Sequence, residues 1–422
     1  MGRLFALILR NRDFALGVID QAILSGSSFL LTLVLAASLE AKSFGLFSIA
    51  AAFSPLLDVF FRGLFEDGLP AAANRIPRAR WPQLRSTVYL VSLAASGAIG
   101  LVVVIAGALT AGHERASGLL LCALGLAIPA SRIQSVFRKF CFLDAALVRL
   151  VSSSVLYLLV LSGMIGLLML LGDLEAASAM LAIAVAAASA ASVLLLFPKD
   201  LGRPSRRAVR WSLKRLSRSG WWFVGTSLIY WIGSIGLIPA CGLFSGLEAG
   251  GAVRILIVIF APLSQISTAI VAVKVPRIAR VLRTGSRQDA LDVGRQNALL
   301  FGSIAAAYGI AIVLIAAPLL LPLLQHRGYD VTVLSVSMMG LALTLDAIWY
   351  ALALPLIALG QPRMYLVSRL GGLFALGLIL PAAVYAFGVL GAVASMCASS
   401  AVSLVVLALR DGLSLPERRA TA

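Results

Sequence analysis

The sequence predicts an all-α integral membrane protein with about 12 transmembrane helices. Three observations predict it. Of the 422 residues, 60% are hydrophobic and only 13% are charged, whereas a soluble domain carries about 25% charged residues to coat its surface. The apolar residues fall into long segments, and a helix needs about 20 such residues to cross a hydrocarbon core of about 30 Å. Lys and Arg gather at the two ends and in every second gap between these segments, which is how short cytoplasmic loops are marked.

The expected spans are 14–38, 45–73, 86–111, 117–137, 147–171 and 174–197, followed by 220–243, 248–273, 297–324, 331–359, 364–387 and 388–410. Of the 35 Lys and Arg residues, all but five belong to the termini or to the inner side of even-numbered spans. The N-terminus has Arg3, Arg10 and Arg12, and the gap after span 2 has Arg75, Arg78, Arg80 and Arg85. The inner end of span 4 brings Arg132, Arg138, Lys139 and Arg149; Arg363 and Arg369 follow span 10. The gaps after spans 6 and 8 are the most basic, and Arg410, Arg418 and Arg419 close the chain. Only Lys42, Arg115 and Arg327 fall in the opposite gaps, and the remaining two, Arg62 and Arg254, fall inside spans. A wrong span count would scramble this alternation. Both termini are therefore expected in the cytoplasm, with no cleavable signal peptide, because Leu4–Leu9 runs into Arg10 and Arg12 rather than a small-residue cleavage site.

The net charge of +17 follows from this positive inner face, which attracts anionic lipid headgroups; it does not point to nucleic acid. Cys122, Cys141, Cys241 and Cys397 show no metal-ligand spacing and read as small packing residues. His113 and His326 lie in separate outer loops. The longest break, 198–219, divides an N-terminal six-helix lobe (1–197) from a C-terminal one (220–410) with a cytoplasmic tail (411–422). Within it, Val209, Leu213 and Leu216 keep helical spacing among basic residues from Arg206 to Arg218, the pattern of an interfacial amphipathic helix. The halves look repeated: Phe53-Ser54-Pro55-Leu56 in span 2 and Phe260-Ala261-Pro262-Leu263 in span 8 are 207 residues apart. Parallel repeats of this kind are a transporter architecture. Pro55, Pro129, Pro239, Pro262, Pro355 and Pro381 fall within spans, where each removes a backbone hydrogen bond.

Several local patterns carry a family resemblance. They are Leu39-Glu40-Ala41-Lys42-Ser43-Phe44-Gly45 before span 2, Glu66-Asp67-Gly68-Leu69 closing it, Gly251 with Arg254 opening span 8, Leu359-Gly360-Gln361-Pro362 after span 10, and Gly388-Val389-Leu390-Gly391 between spans 11 and 12. In order and spacing they resemble the polysaccharide flippases that carry lipid-linked oligosaccharides across bacterial membranes. The superfamily also contains the multidrug and toxic-compound extruders (MATE). The chain departs from the family pattern at Tyr385-Ala386-Phe387, where the family often has Ile-Pro, and its spans hold few Lys and Arg.

The resemblance implies a MATE-like fold of two pseudo-symmetric six-helix lobes in the bacterial cytoplasmic membrane, working by alternating access without a cofactor. It implies a polyprenyl-diphosphate-linked glycan such as an O-antigen unit as substrate, membrane lipids as surroundings, and a polysaccharide polymerase and glycosyltransferases as partners.

Charge inside a span costs about 2.5–3.5 kcal/mol on insertion scales, so each such residue is a functional candidate. Asp58, Arg62 and Glu66 are four residues apart in span 2, on one helical face. They read either as a self-neutralising ladder or as a polar stripe on a substrate cleft. Asp346, near Trp349 and Tyr350, is a further cleft candidate. Arg254 has no acid at helical spacing; it reads as a cleft residue that contacts a phosphate or acidic sugar, since the family places an arginine there, or as a side chain reaching the outer headgroups. Asp20 is the candidate for proton or ion coupling, because related extruders often use an acid in span 1; the alternative is a hydrogen-bonded packing contact.

No phosphate loop, nucleophile elbow or His-Glu-x-x-His helix occurs, so no enzyme is expected. Three rival readings remain. One is a MATE-type multidrug antiporter driven by H⁺ or Na⁺, which the buried acids favour. Another is a major-facilitator carrier, whose loop signature breaks at Gly68-Leu69-Pro70. The third is a non-transporting scaffold in a glycan-assembly complex.

Overall fold

The structure, a computed structural model, describes residues 12–66, 80–144, 146–193, 202, 209–210, 221, 224–225, 227–263, 287–358 and 362–411. All regular structure among them is helical, and each expected span coincides at least in part with helix. Nine helices among the described residues are long and apolar enough to cross a membrane, as befits a multi-pass membrane protein. The expected interfacial helix falls outside the described residues except for 209 and 210.

The chain divides into two compact units, Met1–Trp231 and Ile232–Ala422. The first contains α1 (Arg12–Ser38), α2 (Ala41–Phe61), α3 (Trp81–Ala111), α4 (Arg115–Leu143), α5 (Leu147–Leu171) and α6 (Ala176–Ser192). The second contains α7 (Leu237–Ser245), α8 (Leu247–Ile259), α9 (Arg287–Ala311), α10 (Ala317–His326), α11 (Val333–Ala358) and α12 (Pro362–Asp411). A π-helical turn, Ile312–Ala316, carries α9 directly into α10. The 50 residues of α12 are two helices broken at Gly388, whose φ of 54° and ψ of −127° suit a residue without a Cβ. The break falls where the glycine-rich pattern predicts the turn between spans 11 and 12.

Lipid tails are as apolar as leucine, so helices in a membrane associate through close packing rather than hydrophobic exclusion. The hairpin of α3 and α4 shows this. Gly107 of α3 packs so tightly on α4 that a Cβ there would lie 2.7 Å from the Cys122 backbone nitrogen, and one on Gly125 would lie 2.6 Å from the Gly100 carbonyl. Below this crossing, Leu84, Val88 and Tyr89 of α3 close on Val136, Phe137 and Phe140 of α4 and Leu150 of α5. In the second unit, Phe301 and Ala305 of α9 meet Ala347 and Ala351 of α11, and Trp349 seats against Leu407 of α12. Large apolar side chains such as Leu170 and Phe374 point outward, as a lipid-facing surface requires.

The repeated Phe-x-Pro-Leu motif has a repeated structural consequence. Proline lacks the N–H that would continue the helical ladder. Three residues before Pro55, the Ala52 carbonyl accepts a hydrogen bond from Trp231 Nε1 at 3.1 Å. Three residues before Pro262, the Ile259 carbonyl accepts one from the Tyr308 hydroxyl at 2.9 Å. Ala52 and Ile259 are themselves 207 residues apart. The Leu263 N–H, the ordinary helical donor to Ile259, bonds the Phe260 carbonyl instead. An aromatic donor thus bonds the carbonyl three residues before the proline in each unit, and in the second it meets a carbonyl whose helical donor is directed elsewhere. Tyr308→Phe is expected to destabilise the protein by about 1–3 kcal/mol by stranding that carbonyl, measured as a lower unfolding midpoint in detergent with the helical content of the native protein unchanged.

Candidate functional site

The intramembrane acids are placed by three helix crossings. In the first unit, Asp20 projects from α1 and is fully buried. Arg138 of α4 donates from Nη2 to its Oδ2 at 2.5 Å, and Ser154 of α5 donates from Oγ to its Oδ1 at 2.5 Å. Both carboxylate oxygens are therefore taken, by two different helices. The neighbouring Gln21 reaches along α1 to Ser25.

Asp58 of α2 receives Arg132 of α4, with Nη1 donating to Oδ1 at 3.0 Å. The guanidinium also lies 5.0 Å from the Phe61 ring centroid, within cation–π range. The sequence pairs Asp58 with Arg62 and Glu66 at α-helical spacing. Asp58 and Arg62 keep that spacing, since the Arg62 N–H bonds the Asp58 carbonyl. Beyond them α2 passes into a π-helical turn at Arg62–Glu66, whose wider turn takes Glu66 out of four-residue register with Arg62. Arg62 is exposed, and the Glu66 side chain lies outside the described residues.

In the second unit, Arg369 of α12 donates from Nη1 to Asp346 Oδ1 of α11 at 2.5 Å. Its guanidinium stacks 3.5 Å over Trp349. Trp349 is fully buried and fixed by its Nε1–H to Ser368 Oγ at 3.2 Å. Arg254 sits two turns into α8, half-buried and flanked by the buried Val253 and Ile255.

Each unit holds its own candidates. Asp20 and Asp58 are linked through α4, Asp346 pairs within α11 and α12, and Arg254 stands on α8. The residues missed by sequence reasoning are the arginine partners. Arg132, Arg138 and Arg369 were expected to mark the cytoplasmic ends of spans, yet all three lie within helices and hold acids. A signal for two of them exists: the apolar residues Phe140-Cys141-Phe142-Leu143 lie beyond Arg132 and Arg138 and allow the helix of span 4 to continue past both. A fourth pair, Arg85 with Asp144 at 2.5 Å, ties α3 to the end of α4. No group of three or more His, Cys, Asp or Glu that could hold a metal occurs among the described residues.

Removing one partner of a buried ion pair leaves an uncompensated charge, at a cost of about 3–5 kcal/mol. Arg138→Gln is expected to lose stability on that scale, and Asp20→Asn combined with Arg138→Gln to recover most of it. Denaturation of the purified variants in detergent checks this, and a double variant no more stable than Arg138→Gln would contradict it.

No family model matches the chain, and no curated protein matches it in sequence. Solved structures do. A eukaryotic MATE transporter superposes with a TM-score of 0.57, covering 97% of each chain at 16% identity. An inward-facing multidrug resistance MATE family transporter of the MOP superfamily gives 0.58, covering 96% of each chain at 14% identity. The lipid II flippase MurJ, in an inward closed conformation, gives 0.69 over 94% of this chain and 87% of its own, at 10% identity. At such identities the likeness is one of architecture: the chain has the all-helical membrane fold of the MATE transporters and of the lipid II flippase MurJ.

Proposed function

We propose that this protein is a transporter that flips a lipid-linked oligosaccharide, a polysaccharide repeat unit carried on a polyprenyl diphosphate, across the bacterial cytoplasmic membrane by alternating access. The observation that carries this reading is the charge balance inside the helices. Asp20, Asp58 and Asp346 are each held by an arginine from another helix. Arg62 and Arg254 add positive charge beyond those pairs. Arginines placed within the helices suit an anionic headgroup, because planar guanidinium forks match phosphate and carboxylate oxygens. Outward movement of such a headgroup is helped by an inside-negative potential, by about 2.3 kcal/mol per charge per 100 mV. The fold shared with a lipid II flippase is in keeping with a lipid-linked cargo.

In this reading residues 1–197 and 220–410 are the two lobes, 198–219 is the basic linker on the inner leaflet, and Arg254 contacts the diphosphate. A polymerase and glycosyltransferases act on the same glycan before and after it crosses. The fold is equally that of MATE extruders. A cationic drug, however, would have to evict an arginine from each acid it sought. Proton coupling through Asp20 belongs to the same proposal and demands that Arg138 yield.

Cells lacking the protein are expected to accumulate an oligosaccharide-diphosphate lipid on the cytoplasmic side, and re-expression to clear it. Arg254→Ala, at native protein levels, is expected to cut clearance by at least about tenfold, the scale of losing one desolvated charge contact. An unchanged lipid pool, together with drug efflux that depends on the protein, would replace this reading with the extruder.

A further inference from the structure

The pair formed by Arg132 and Asp58 is lopsided: the arginine side chain is 1% exposed and the acid 37% exposed. The guanidinium sits behind its carboxylate, pinned by the Phe61 ring. An ionised carboxylate open to hydrocarbon would not be tolerated in a span, so the open side of Asp58 faces water. Arg62 follows one turn later and is exposed. Its field reaches both members of the pair. Among the described side chains, one carboxylate and two guanidinium groups meet here.

The geometry points to an exchange site for an oxyanion, in which Asp58 holds the Arg132 guanidinium until a phosphate or carboxylate group of the cargo takes its place. Two features support it. Asp58 is the exposed member, so an anion that reaches Arg132 must first displace it, and the displaced carboxylate swings toward water rather than lipid. Replacing one oxyanion by another on the same guanidinium keeps the buried charge paired throughout, which avoids the penalty of an empty arginine. The exchange also makes net affinity modest, and a transporter has to release what it binds. The site rests on the flippase reading for the identity of its cargo but not for its chemistry. The anion is either the carrier's diphosphate or an acidic sugar.

The test uses the purified full-length chain in detergent, with inorganic pyrophosphate and glucuronate as separate probes, read by their effect on thermal unfolding and by direct titration. Asp58→Asn removes the competing charge and is expected to tighten anion binding by about tenfold, while Arg132→Gln is expected to weaken it by about tenfold or more. Opposite signs are the signature of exchange. A purely structural pair would lower stability in both variants and shift binding in the same direction, or not at all, and that result overturns the proposal. If Arg132→Gln fails to fold, Arg132→Lys keeps the charge without the planar fork and is expected to bind more weakly than the native protein. Protection by pyrophosphate alone assigns the site to the diphosphate, and protection by glucuronate alone assigns it to an acidic sugar. Protection by neither overturns it. Binding with the expected signs but no change in the lipid-linked glycan pool of deficient cells would leave the site standing and remove the flippase reading. A pool that depends on the protein, without anion binding, would do the reverse.

Discussion

An ionised carboxylate inside a bilayer must be given a cation, and the interhelical Asp–Arg pair is the interaction on which the rest of the structure depends. In the first unit one helix provides it twice. Arg132 and Arg138 are six residues apart on α4, and at about 100° per residue they point about 120° apart around its axis. One therefore meets Asp58 on α2 and the other Asp20 on α1. Ser154 brings α5 to the same carboxylate, and the glycine contacts bring α3. α4 is thus the helix against which the others are positioned. Its ion pairs fix register in a way that apolar packing in lipid cannot, because a slide of one turn would leave two charges without partners.

The architecture was legible in the sequence because it follows from solvent. Twelve apolar runs and alternating basic gaps report on a bilayer, and each run meets helix. The turn at Gly388 was legible for a local reason, since a glycine pattern between two spans marks a sharp reversal. The acids Asp20, Asp58 and Asp346 were legible as costly residues. Their partners were not, because Arg132 and Arg138 lie 74 and 118 residues away in sequence from the acids they hold. A single sequence shows no coupling over such distances. The rule that explains most of the arginines then absorbed these as well, since a basic residue near the end of a span looks the same whether it meets headgroups or an acid. The Asp58–Arg62–Glu66 spacing was legible for its first step, which is α-helical, but the π-helical turn at Arg62–Glu66 that alters the second leaves no mark in the residue pattern.

The two units share a backbone device but not a charge pattern. Ala52 and Ile259 occupy equivalent places before equivalent prolines, and both carbonyls accept an aromatic donor. The donors come from non-equivalent spans, Trp231 in one unit and Tyr308 in the other. The acids do not correspond at all. The first unit places them on α1 and α2 and serves both from α4, whereas the second places one on α11 and serves it from α12 beneath a stacked tryptophan. The scaffold is thus constrained by hydrogen bonding in lipid, and the charges are set separately in each unit.

For the transporter proposed above, that difference bears on the sign of the cargo. For a cation to use any of these acids it must expel an arginine, and the expelled guanidinium then stands beside the incoming cation inside the bilayer. Repulsion at such separations is strong in a low-dielectric medium. For an anion the same pairs work in its favour, because it takes over an arginine already desolvated and oriented, and the group it releases is an acid such as Asp58 that already borders water. The two exchanges are therefore not mirror images. Pairs with the arginine buried and the acid toward water admit anions at small cost and cations only at large cost. Asp20, buried more completely than Arg138, is the pair with the reverse arrangement. It is accordingly the one acid here whose placement suits a fixed structural tie better than exchange with any cargo.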